Sequence, residues 1–314
     1  MILKTVLSGR TYQFQSVKEV LAKANEEKSG DVLAGLAAES ASERIAAKEV
    51  LANLLLSDLR EHPSVEYETD DITRMDQDGV NEAIYREIRG CSVGEFREWL
   101  LAYSTDENDI RRIRKGLTAE MIAGVAKIMS NLDLLYAANK MRIQTHCNTT
   151  MGIRGTFSTR LQPNHPTDDL DGITASLYEG LSYGSGDALI GLNPVSDSVA
   201  SCAAVLERFA QIKEKWDIPT QCCVLAHITT QMEAIRQGAP ADMIFQSIAG
   251  SQKGNEAFGF TTQTVREAQA LLRRQGTGTG PNVLYFETGQ GSELSSGAHF
   301  DTDQVTMEAR CYAF

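Results

Sequence analysis

No stretch of this chain is apolar for long enough to cross a bilayer. The longest runs, such as Leu54 to Leu56 and Ala188 to Leu192, fall far short of the ~20 residues a membrane helix needs. The N-terminal MILKTVLSGRTYQ has neither the length nor the cleavage pattern of a secretory signal, so the expected location is the cytoplasm. Positive charge is in short supply. Thirty Lys plus Arg stand against forty-two Asp plus Glu, and the net charge of -12 repels nucleic acid and anionic lipid, which excludes both as expected partners. Much of the acidic excess sits in SVEYETDDITRMDQD (64 to 78) and reads as a solvated face. The six cysteines form no Cys-x-x-Cys pair and no disulfide framework, so they read as reduced, mostly buried residues of an intracellular protein. Histidine is scarce. His146, His227 and His299 share no metal-binding spacing and no HxH or HExxH occurs, so core histidines and no metal site are expected. There is also no Gly-x-Ser-x-Gly elbow, no P-loop and no Ser-His-Asp order. The Gly-rich GTGTG (276 to 280) precedes a strand pattern, which makes it a loop and not a dinucleotide fingerprint.

What is present is ample core material: 42% of 314 residues are hydrophobic, enough for one large α/β domain or two smaller ones. The chain opens with ILKTVL and TYQFQ joined at Ser8-Gly9, a hairpin signal. Helices follow. Ser16 with Glu19, Ser40 with Glu43 and Ser92 with Glu95 are capping boxes ahead of apolar stripes, and Ile122, Val125, Met129 and Leu132 suggest one long helix from about Thr118 to Lys140. Residues 1–140 are therefore expected to form a hairpin plus helical region.

Beyond residue 140 the rhythm changes. IQTHCN (143 to 148), ALIGLN (188 to 193), CCVLAH (222 to 227), MIFQSIA (243 to 249), NVLYFET (282 to 288) and TMEARCYAF (306 to 314) read as strands. Between them lie helical patterns: one carrying Val199, Cys202, Leu206 and Phe209, one starting at Thr230 with Glu233, one starting at Thr264 with Glu267. Repeated β/α predicts a parallel sheet over 141–314. Nearly every strand ends in polar groups: His146 and Asn148, Asn193, His227, Gln246 and Ser247, Glu287. Many strands feeding one mouth favours a TIM (β/α)8-type barrel over a doubly wound sheet. Only six strand candidates are found, so the barrel is expected to be incomplete at its C-terminus, with its last strands missing.

The candidate site residues cluster at those strand ends. In GTFSTRLQPNHPTDDLDG (155 to 172), Pro163, Asn164, Pro166 and Gly172 suit bends, whereas Arg160 and Gln162, two apart in an extended run, point the same way. They hold either a ligand or merely their own loop. Asn193 ends a strand and could equally cap the helix that follows. Glu287 closes a run that should be buried on both faces, and a carboxylate there needs a cationic ligand or Arg160 as partner. Such a mouth suits a small polar molecule, with the chemistry supplied by a cofactor.

GTFSTRLQPNHPTDDLDGITASLYEGLSYGSGDALIGLNPVSDS, FQSIAGSQKGNEAFG and NVLYFETGQGSELSSGAH resemble the large subunit of bacterial ethanolamine ammonia-lyase, and the likeness runs from Met1 to Phe314. The resemblance implies a TIM barrel with an N-terminal helical region, adenosylcobalamin as cofactor, and radical conversion of ethanolamine to acetaldehyde and ammonia. Carried over, it makes Arg160, Gln162, Asn193 and Glu287 substrate-binding. Glu287 would face the ammonium and the hydroxyl, Gln162 the amino end, Arg160 and Asn193 the oxygen, with Glu287 and Arg160 also catalytic. Pro194, Gln246 and Ser295 would contact cobalamin. No Asp-x-His-x-x-Gly is present, in keeping with a family that leaves the cofactor's own base on cobalt. A small subunit, pairing of large subunits into homo-oligomers, and an ethanolamine-utilisation microcompartment are implied as well. The family's chain continues past residue 314 with further strands, another substrate-binding aspartate and more cobalamin contacts. A truncated chain with little or no activity alone is therefore expected, and a non-catalytic assembly partner, or a chain that folds poorly, is the alternative.

Overall fold

The computed structural model describes residues 1–289, 293–294 and 296–314. They form two compact units: Met1–Met141 with Ile248–Gly259 and Thr288–Phe314, and Arg142–Ser247 with Phe260–Glu287.

The first unit begins with β1 (Lys4–Leu7) and β2 (Arg10–Gln13), paired antiparallel across Ser8 (φ 51°) and Gly9 (φ 80°), the left-handed pair a two-residue hairpin demands. Three caps stand where the sequence put them. Ser16 accepts the Glu19 N–H at 3.1 Å, Ser40 that of Glu43 at 3.2 Å, and Ser92 that of Glu95 at 3.1 Å, with Glu95 returning a bond to the Ser92 N–H at 2.8 Å. The stripe Val17, Val20, Leu21 and Ala24 is buried as expected, in one core with Val50, Leu51, Leu59 and Met121.

Two expectations fail in this unit. The single helix over 118–140 is two, Ala119–Lys127 and Asn131–Asn139. The break is a further capping box at Ser130, whose hydroxyl accepts the Asp133 N–H at 3.2 Å while Asp133 accepts the Ser130 N–H at 2.9 Å. Ile122 and Leu132, counted in one apolar stripe, are both exposed. TMEARCYAF is not a strand: it lies in the helix Gln304–Ala313, started by Asp303, which accepts the N–H groups of Val305 and Thr306. Its buried residues Thr306, Met307, Arg310 and Cys311 recur at helical spacing, while Tyr312 faces outward. Two buried cations fix this helix. Arg310 bonds Asp70 at 2.7 Å, Glu120 at 2.8 Å and the Gly250 carbonyl at 2.8 Å, and Lys127 bonds Asp303 at 2.6 Å.

The second unit carries the site. IQTHCN contributes only the two-residue β3 (Thr145–His146), paired antiparallel with β4 (Thr150–Met151) just beyond it. The parallel sheet is β5 (Arg160–Leu161), β6 (Leu189–Leu192) and β7 (Cys222–Val224), with Leu161 opposite Ile190 and Ile190 opposite Cys222. Next come β8 (Ile244–Ile248) and β9 (Leu284–Thr288), neighbours in a further two-stranded sheet. Helices Leu170–Ser182, Val199–Trp216, Ile228–Arg236 and Thr262–Gln275 separate these strands, the last two starting two residues before the expected Thr230 and Thr264 because His227 and Thr261 are the caps. The protein is thus a mixed α/β chain rich in helix with small sheets. Among the described residues the sheets do not close into a barrel, and no helix is long and apolar enough to cross a membrane.

Candidate functional site

Side chains alternate along a strand, so one face of the sheet is read from residue parity. Leu189 of β6, Cys223 and Leu225 at β7, Met243 and Phe245 at β8, and Cys147 form one apolar cluster with Tyr285 of β9 packed against it. These numbers are all odd. The same face continues toward the C-terminal strand ends as Asn193 after β6 and Glu287 on β9, with Arg160 and Gln162 supplied by β5 and its next residue. A Cβ at Gly191, between Leu189 and Asn193, would lie 3.0 Å from Leu225 and 3.1 Å from the Cys223 sulfur, so glycine keeps the floor beneath Asn193 close-packed.

The four expected substrate residues meet in one hydrogen-bonded chain. Arg160 Nη1 donates to Glu287 Oε1, Arg160 Nη2 donates to Gln162 Oε1, and Gln162 Nε2 donates to Asn193 Oδ1. Tyr285, absent from the sequence reading, completes the site. Its hydroxyl accepts from Arg160 Nη1 at 2.7 Å and donates to Glu287 Oε1 at 2.6 Å. The Arg160 side chain keeps 29% of its surface exposed and Glu287 41%, so a small solute can reach both charges.

Electrostatics fix the protonation pattern. Burial alone would lower the Arg160 pKa, but Tyr285 and Glu287 outweigh it and hold the guanidinium above its ordinary value. Burial, then the bond to Glu287, pushes the Tyr285 phenol up to about 12, so it stays a donor at neutral pH. The thiols beneath, Cys147 and Cys223, are pushed up by burial and stay neutral. All six cysteines are free and all but Cys91 are buried.

The loop 155 to 172 both positions and contributes. Asp168 (φ 54°) accepts the N–H groups of Val195 and Ser196 at 2.8 Å each, and Asn164 accepts that of Asn193 at 2.9 Å. The segment after β6 is thereby pinned over the strand ends. In the sequence Asn164 reads as turn chemistry and Asp168 has no assigned role, and only the fold reveals what they grip.

The remaining expected residues are placed less uniformly. Pro194 is half-buried beside the exposed Val195. Gln246 is buried on the opposite face of β8, where its Oε1 accepts the Ile228 N–H and its Nε2 donates to the Ser247 carbonyl, both at 3.0 Å. Ser295 lies outside the described residues. The histidines are satisfied but not core: His146 is exposed beside Thr150, His227 caps a helix, and His299 accepts the Asp301 N–H. Among the described residues no group of three or more His, Cys, Asp or Glu is placed to hold a metal ion. A cavity of about 430 Å³ opens near the start of β7, but its Lys213 and Asp242 bond each other, and Asp242 also holds the Cys222 N–H and the Thr277 hydroxyl. Its charges are spent on each other and are less exposed than Arg160 and Glu287, with 16% of the Lys213 side chain and 3% of Asp242 open to solvent.

The comparisons with known proteins bear on the whole chain. The family model described as ethanolamine ammonia lyase large subunit (EutB) matches residues 12–314. The ethanolamine ammonia-lyase large subunits of Escherichia coli (strain K12) and of Salmonella typhimurium (strain LT2) are each 55% identical over 312 residues, covering 99% of this chain and 69% of theirs.

Proposed function

The chain belongs to the ethanolamine ammonia-lyase large-subunit family, and from that premise we propose that its strand-end site grips ethanolamine for deamination to acetaldehyde and ammonia. The observation that carries this reading is the chain Glu287–Arg160–Gln162–Asn193, which offers one anion, one cation and two neutral amides within a few ångströms. Ethanolamine at neutral pH is an ammonium and a hydroxyl two carbons apart. Glu287 faces the ammonium and reaches the hydroxyl, Gln162 holds the amino end, and Arg160 and Asn193 hold the oxygen. Holding both ends of so small a molecule fixes its carbon atoms for reaction and replaces water around the leaving nitrogen with fixed dipoles.

The family's cofactor is adenosylcobalamin, which when bound supplies the radical chemistry at the carbinol carbon. Its fit to this chain rests on the rim after β6, where Pro194 and Val195 offer apolar surface next to Asn193 on a segment held by Asp168. Gln246, whose side chain is engaged with Ile228 and Ser247, would need to turn to contribute its amide. The repeated β/α order of the second unit supports a TIM-type barrel, and the relatives' names imply a small-subunit partner. Large subunits pair with one another on this reading, in the cytoplasm or within an ethanolamine-utilisation microcompartment. The test is ammonia and acetaldehyde release from ethanolamine by the assembled large and small subunits. Release only in the presence of adenosylcobalamin is expected, and no release with the cofactor present overturns the reading.

A further inference from the structure

Tyr285 stands two residues before Glu287 on β9, on the same face, with its ring packed against Phe245 at 5.5 Å between centroids. Its one hydroxyl touches both charged members of the site, accepting from Arg160 Nη1 and donating to Glu287 Oε1, while those two also bond each other directly. The three atoms make a closed triangle. That closure poses a problem for any cationic ligand, because an ammonium can reach Glu287 only in competition with the guanidinium already there. A guanidinium N–H displaced from a carboxylate in a half-buried site costs free energy unless another acceptor takes it.

We propose that Tyr285 is a positioning residue that lets Glu287 exchange Arg160 for the substrate's ammonium. Its hydroxyl remains an acceptor for Nη1 when the carboxylate turns to the ammonium, so that nitrogen keeps a partner while the pocket opens. Its O–H, still donating to Glu287, keeps the carboxylate aimed into the pocket. The ring against Phe245 and the apolar cluster beneath gives the hydroxyl a fixed place from which to do both. This inference rests on the ethanolamine reading above.

The experiment compares kcat and KM for ethanolamine in the assembled holoenzyme carrying Tyr285→Phe, Tyr285→Gln or Glu287→Gln. Phe keeps the ring packing and loses both hydrogen bonds, whereas Gln keeps an acceptor and a donor and loses the ring. Tyr285→Phe is expected to raise KM roughly tenfold to a hundredfold, the range for a hydrogen bond to a charged group, with kcat changed less than KM. Tyr285→Gln is expected to sit closer to the parent. The reverse order, a near-normal Phe variant, or failure of both variants to assemble makes the residue a packing element and overturns the proposal. Glu287→Gln separates the two ideas: normal turnover there sinks the substrate reading itself, and collapse there beside a normal Phe variant sinks only the role of Tyr285.

Discussion

Arg160 serves three acceptors at once, Glu287, Tyr285 and Gln162, because a planar guanidinium presents its N–H groups as a fixed fork. A lysine brings the charge but not the fork. Arg160→Lys should lower kcat/KM for ethanolamine roughly tenfold to a hundredfold, read from steady-state kinetics, and parent-like kinetics would show that charge alone suffices. At this scale much of the site was legible in the sequence. Period-two spacing paired Arg160 with Gln162, and a carboxylate closing an apolar run marked Glu287 as needing a cation. The same spacing points to Tyr285, two residues from Glu287, but a tyrosine in an apolar run reads as core, and its partly buried ring does pack against the core cluster. Asn164 and Asp168 were hidden for another reason: their partners, the N–H groups of residues 193, 195 and 196, are about thirty residues away in sequence.

At the scale of elements, the helix Gln304–Ala313 shows where a local reading fails. The run TMEARCYAF reads as a strand, yet it is helical and its Arg310 is fully buried, bonded to Asp70, Glu120 and the Gly250 carbonyl. No local pattern announces acids some two hundred residues away. Arg310→Ala would leave two buried carboxylates without their cation and should cost about 3–5 kcal/mol in urea unfolding, where a loss under about 1 kcal/mol would contradict the burial argument. The split at Ser130 is the opposite case. Its Ser-x-x-Asp signal was present and was overridden by an apolar spacing that happened to run on through exposed Ile122 and Leu132. The β/α alternation succeeded because buried parallel strands leave near-continuous apolar runs, as the fully buried Leu189–Leu192 shows.

For the whole molecule, stability carries a pH signature set in the first unit. Burial raises Glu293 to about 7, and burial together with Glu120 raises Asp76 to about 7. A carboxyl whose folded pKa exceeds its unfolded value binds more protons when folded, so its favourable contribution is full at low pH and is lost as pH rises from about 4.5 to about 7. Glu293→Gln should therefore remove part of the fall in melting temperature between pH 5 and pH 8, a difference worth up to about 3 kcal/mol. Identical pH profiles would refute the assignment. The net charge of -12 acts at the same scale, keeping nucleic acid and anionic surfaces away while leaving a neutral or cationic small solute free to approach.

The account stands or falls on the carboxylate at the end of β9. The decisive measurement is ammonia release from ethanolamine by the assembled holoenzyme with Glu287→Gln beside the parent. The variant keeps the shape and reach of residue 287 while removing the charge proposed to face the ammonium. Turnover reduced on the order of a hundredfold or more is the predicted result. Turnover equal to the parent's would mean that the chain of Glu287, Arg160, Gln162 and Asn193 holds something other than the substrate.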